Sequence, residues 1–130
     1  MDSVTAGEQQ PESDHHFAGE STRAGGSEGL HWRSATGWFS YALAGPGDAP
    51  AVLRVRFRAE SLDGRGHELR LDGVPLGEPG TAWRSVDADV QDFVVPAGTA
   101  EPLVFAVHAL PGTATGDLLS VQLLRGDATL

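Results

Sequence analysis

The stretch that most restricts this chain is Leu53-Arg54-Val55-Arg56-Phe57-Arg58, where apolar and basic side chains alternate without a break. Successive side chains of an extended strand point to opposite faces, so a period of two gathers the three apolar groups on one side and the three guanidinium groups on the other. A helix would scatter both sets around its surface. The run Ala51 to Ala59 is therefore expected as a strand, half buried in an antiparallel sheet.

The rest of the chain reads in the same way. Seventeen glycines and eight prolines fall between short apolar runs and end one element before the next begins. Leu30 to Leu43 carries Trp32, Trp38, Phe39 and Tyr41, an aromatic density that favours strand. Alternation there assigns Phe39, Tyr41 and Leu43 to the core side, with Trp38 and Ser40 on the other. Leu69 and Leu71, the pair Asp72-Gly73, and Val74-Pro75-Leu76 match a tight hairpin whose turn needs positive φ. Trp83 to Val86, Gln91 to Val95, Leu103 to Ala109 and Leu118 to Leu124 complete about eight short strands. No window of a dozen residues keeps helical spacing free of Gly or Pro, so no helix is expected. The expectation is an all-β fold, an antiparallel β-sandwich or jelly roll forming one domain over residues 1–130. Residues 1–29 are expected as a mostly irregular polar lead-in with one short strand near Ser3 to Ala6, and residues 126–130 as a frayed tail.

Charge and composition narrow the function. Eighteen acidic side chains face nine basic ones, all of them Arg, for a formal charge of −9. Such a surface repels a phosphate backbone or an anionic lipid, so neither nucleic acid nor membrane is an expected partner. There is no cysteine, which removes disulfides, thiolate nucleophiles and cysteine-bound zinc, and leaves the compartment open. No run reaches the roughly 20 apolar residues of a membrane-spanning helix.

Three segments carry a resemblance: Gly7-Glu8-Gln9-Gln10-Pro11-Glu12-Ser13-Asp14-His15, His31-Trp32-Arg33-Ser34-Ala35, and Gly37-Trp38-Phe39-Ser40-Tyr41. Together they resemble the carboxyl-terminal β-sandwich domain of beta-L-arabinofuranosidase-type glycoside hydrolases. In that family a barrel of helices carries catalysis, with carboxylates and a zinc held largely by cysteine thiolates, and sandwich domains follow it. This chain has neither cysteine nor barrel, so the resemblance implies a non-catalytic accessory domain. Its implied partners are the catalytic helical barrel of a parent hydrolase and an arabinose-containing glycan.

Several residue groups are candidates for a site. Trp32, Arg33 and Trp38 combine aromatic faces with a hydrogen-bonding cation, as carbohydrate binding requires. Glu8 and Asp117 occupy places where a structural calcium would pin the first strand to the last, as related carbohydrate-binding sandwiches do, although no calcium-loop motif is present. Glu12, Asp14, His15 and His16 offer metal-binding groups, but adjacent ligands on an extended chain point apart, and a polar loop is the better expectation. The row Arg54, Arg56 and Arg58 suits an acidic ligand or, more simply, acidic neighbours on adjacent strands. Glu60 with Asp63, and Asp87 with Asp89, are carboxylate pairs without a supporting motif. No catalytic residue and no cofactor beyond the calcium is expected.

Overall fold

In a computed structural model the chain is all-β and antiparallel. The structure describes residues 2–27, 29–58, 61, 66–76, 83–87 and 89–125, with the backbone alone at 83–87 and 125. The elements are β1 (Asp2–Thr5), α1 (Gln9–Asp14), β2 (Ala18–Ser27), β3 (Leu30–Leu43), β4 (Ala51–Phe57), β5 (His67–Leu71), β6 (Val74–Pro75), β7 (Trp83–Asp87), β8 (Val90–Val95), β9 (Leu103–Ala109) and β10 (Leu118–Arg125). All eight strands expected from alternation and punctuation are present. The expected tail at 126–130 and the pair Glu60 with Asp63 lie outside the described residues.

Strand order is β6-β5-β9-β3-β10-β4-β8-β7, with β1 added to β10 and β2 to β3. The expected pair of sheets is thus one continuous ladder, curled on itself. The fourteen-residue β3 makes the connection: its first half touches β10 at Arg33–Leu118, while Trp38 to Leu43 pair with β9. A strand that changes partner along one edge carries the hydrogen-bonding from one half of the fold to the other. Opposite it, β2 has a register shift between Glu20 and Thr22, and Ser21 there adopts a φ of 56°. Such an irregularity bends a strand pair and increases its twist.

The curl closes around a single core. Phe39, Tyr41 and Leu43 from β3 and Leu103, Phe105 and Val107 from β9 meet Leu53, Val55 and Phe57 from β4, Val121 and Leu123 from β10, and Val4 from β1. Both alternation assignments hold, in β3 and in β4. The hairpin between β5 and β6 turns on Asp72 at φ 52° and Gly73 at φ 82°, two left-handed residues that fit the twist of a two-residue turn.

Residues 1–29 depart from the expected irregular lead-in, because they hold β1, α1 and β2. The helix escaped the sequence reading because its six residues bury only Glu12, which leaves no apolar stripe to detect. Pro11 is tolerated there because the first-turn N–H groups lack helical partners in any case. Strand β2, AGESTRAGGS, is exposed along most of its length and has no apolar alternation. Its conformation comes from pairing with β3 along its length, from Ala18–Ser40 to Ser27–Leu30.

Gly7 ties the lead-in to β3. Its φ is 81°, and a Cβ there would lie 2.4 Å from the Trp32 carbonyl oxygen. Gly73 has a similar φ of 82° but open space around it. Gly7→Ala is therefore expected to cost ~3 kcal/mol, and Gly73→Ala only ~1 kcal/mol from backbone strain. Urea unfolding of the two variants checks this, and equal losses would contradict the close-packing argument.

Candidate functional site

The strongest constellation of charged groups is Glu12, Arg33 and Tyr41. Helix α1 delivers Glu12 to the sheet, where it is 4% exposed. Its Oε2 accepts hydrogen bonds from Arg33 Nε at 2.5 Å, the Tyr41 hydroxyl at 2.6 Å and the Gly7 amide at 3.1 Å, while Oε1 accepts from Arg33 Nη2 at 2.7 Å. The remaining terminal nitrogen of Arg33, Nη1, donates to Thr22 Oγ1 at 3.0 Å, and the guanidinium lies 4.4 Å from the centre of the Phe17 ring. Burial alone would push the Glu12 carboxyl up, but the Arg33 and Tyr41 hydrogen bonds outweigh it and hold the group below the usual carboxylate range. Tyr41 moves the other way: burial and the adjacent Glu12 charge raise its phenol far above its usual value. Glu12 is thus a fixed anion and Tyr41 a fixed donor.

The structure does not unite the expected sugar-binding trio. Arg33 is committed to Glu12 and Thr22. Trp32 lies beneath Arg58, whose guanidinium is 4.3 Å from the ring centre, and Trp38 stacks on His108 at 5.9 Å. The two tryptophans are six residues apart on β3, on the order of 20 Å along an extended strand. Sequence proximity suggested one site, whereas side-chain packing makes three environments.

The carboxylates considered for calcium also separate. Glu8 lies 3.7 Å from His31 Nε2, and Asp117 accepts from Arg58 Nε and Nη2 at 3.0 and 2.7 Å. Among the described residues no group of three or more His, Asp or Glu side chains is arranged to hold a metal ion. The Glu12, Asp14, His15 and His16 group is not a polar loop, since Glu12 and Asp14 belong to helix α1, and its side chains go to separate partners. Glu12 turns to Arg33, Asp14 accepts from Gln10 Nε2, and His15 bonds to Asp2 and to the Pro11 carbonyl. In the arginine row, Arg54 forks onto its cross-strand partner Asp92 at 2.8 and 2.9 Å, and Arg58 meets Asp117. Arg56 is exposed. Acidic neighbours engage Arg54 and Arg58.

Sequence reading missed the Glu12–Arg33–Tyr41 network. All three residues stand in the segments that carry the family resemblance, but nothing in their spacing of 21 and 8 positions announces a contact. The variant Glu12→Gln leaves the partly buried Arg33 guanidinium without its charge partner and is expected to destabilise the fold by ~3 kcal/mol. Tyr41→Phe removes one donor and is expected to cost ~1 kcal/mol. Denaturant midpoints of both variants give the comparison, and a larger loss for Tyr41→Phe would sink the ranking.

Asp2 and His15 form a second, pH-dependent connection. Nε2 of His15 is 2.6 Å from Asp2 Oδ1 and Nδ1 is 2.7 Å from the Pro11 carbonyl, two acceptors that only the doubly protonated ring satisfies. Burial works against that charge, but the Asp2 hydrogen bond prevails and raises His15 above its ordinary 6.5. Asp2 is likewise penalised by burial, yet His15 and the Ala44 amide lower it below 3.8. The His15 contribution is complete below its unfolded pKa and is lost as pH rises through its raised folded value. The Asp2 contribution is present above its unfolded pKa and is lost as pH falls through its lowered one. The link is therefore strongest between pH ~4 and ~6.5. His15→Gln is expected to cost ~1 kcal/mol at pH 5.5 and less at pH 9, read from urea unfolding at the two pH values.

Among curated proteins none matches this chain. A family model does match, over residues 1–124, which is nearly the whole sequence and includes both the Glu12 network and the sheet around it. The chain belongs to that family, DUF6805, a family of unknown function.

Proposed function

We propose that the chain is a non-catalytic accessory domain of a glycoside hydrolase, packing against a catalytic barrel of helices. The observation that carries this reading is the use made of the segments that resemble arabinofuranosidase-type sandwich domains. Glu12, Arg33 and Tyr41, one from each segment, meet in one buried network. The resemblance therefore attaches to a framework element, as expected of a domain whose role is structural.

The electrostatics support the same reading. Glycoside hydrolysis needs one carboxyl with a raised pKa as acid and a second carboxylate across the scissile bond. The buried carboxylates among the described residues, Glu12, Asp92 and Asp117, each face an arginine: Arg33, Arg54 and Arg58. For Glu12 the hydrogen bonds from Arg33 and Tyr41 hold the carboxyl below its usual range, so it keeps no proton to give a leaving group.

Two measurements test the proposal. The 130-residue chain is expected to show no turnover of aryl arabinofuranosides above the buffer rate, and turnover abolished by a single carboxylate variant would overturn it. It is also expected to co-elute with the helical barrel of a beta-L-arabinofuranosidase-type enzyme freed of its own sandwich domains. Separate elution counts against the packing role.

A further inference from the structure

The register of β5, β9, β3 and β2 arranges the outer face of the sheet in rows. One row runs Glu68, His108, Trp38, Glu20, and the next runs Arg70, Ala106, Ser40, Ala18. In the first row the His108 and Trp38 rings stack with planes 17° apart, so each fixes the other upright on the sheet. In the second row the middle positions are small. Ala106 and Ser40 are each only 9% exposed and form a floor beside the aromatic pair. Arg70, Val104 and Gly73 complete a cleft of about 340 Å³.

The chemistry of this cleft differs from that of every other arginine or aromatic cluster described above. Arg33, Arg54 and Arg58 are occupied by buried carboxylates, and Trp32 lies under a guanidinium. Trp38, Ser40 and His108 carry no side-chain hydrogen bond among the described residues, and Arg70 is held by Glu68 through Nε alone. The cleft thus joins a fixed aromatic face to uncommitted donors and acceptors. Burial and the nearby Arg70 lower the His108 pKa, which keeps its ring neutral at pH 7 with one donor and one acceptor nitrogen.

We propose that this cleft binds one neutral sugar residue, with an apolar C–H face of the sugar against Trp38 and its hydroxyls on Ser40, His108 and Arg70. Size and charge select that ligand. A volume near the lower end of ligand pockets suits one ring, not an extended oligomer. Glu68 and Glu20 stand at the two ends of the aromatic row, so an anionic ligand would meet like charge on either side. The choice of pentose as first probe rests on the accessory-domain reading above.

The test is titration of the intact chain with L-arabinose, D-galactose and D-glucuronate, followed by calorimetry and tryptophan fluorescence. Saturable binding of a neutral sugar is expected, with a weaker response to glucuronate. Trp38→Ala is expected to weaken it about tenfold. Ala106→Leu fills the floor and is expected to abolish it while leaving Trp38 in place. Circular dichroism establishes that each variant is folded, and if Trp38→Ala is not, Ala106→Leu and Arg70→Ala decide. No binding of either neutral sugar overturns the proposal, as does binding unchanged in the folded variants. Neither result touches the accessory role, which is judged by barrel co-elution and the absence of turnover.

Discussion

A carboxylate buried to 4% exposure is the constraint on which the rest of this structure depends. An isolated buried charge costs several kcal/mol, so Glu12 can remain ionised only if the chain brings compensating groups to it. Those groups come from separate places: the Gly7 amide before α1, and Arg33 and Tyr41 from the two halves of β3. Thr22 of β2 holds the far side of the guanidinium. Satisfying one charge thereby fixes the lead-in, a helix and two strands relative to one another. Pairs of this kind are weak contributors to net stability but penalise any arrangement that leaves one partner alone, which favours a single register.

The same logic recurs on a smaller scale at Asp92 and Asp117. Each is a buried acid met by an arginine from β4 or the residue just after it, on strands that already neighbour one another. An acidic chain thus uses several of its few cations internally. Arg70 is different, since it stands on the outer face beside Trp38 and His108, with its main ionic contact to the neighbouring half-buried Glu68. Commitment of the side chain, not residue type, separates framework from candidate surface. The sugar-binding expectation joined Trp32, Arg33 and Trp38 because they are near in sequence, whereas the fold sends the three to different surroundings and sets Trp38 in the cleft with Ser40, His108 and Arg70.

Legibility in the sequence followed burial. Where one face of a strand is buried and the other is not, as in Leu53 to Phe57 and Phe39 to Leu43, alternation locates the strand and identifies its core side. The Asp72-Gly73 turn was equally readable, because a two-residue hairpin demands left-handed backbone that these residues supply cheaply. Helix α1 and strand β2 were not readable. The first buries a carboxylate in place of an apolar stripe, and the second is a polar, glycine-rich edge strand shaped by its partner. Both lie within residues 1–29, which is why that segment was expected to be irregular.

By itself, then, the sequence determined the fold class, the core faces of the central strands and the hairpin, because side-chain period and turn chemistry are local properties. It also determined that an acidic, cysteine-free chain carries no thiolate site. Tertiary structure decided the rest. It set which strands neighbour which, that they form one curled ladder through β3, and that Glu12 finds Arg33 and Tyr41. It also decided that Trp38 stands over Ser40 and beside His108 while Trp32 lies under Arg58. Apart from Trp38 and Ser40, which share one face of β3, these contacts join residues far apart in the chain, so no local property of the sequence announces them.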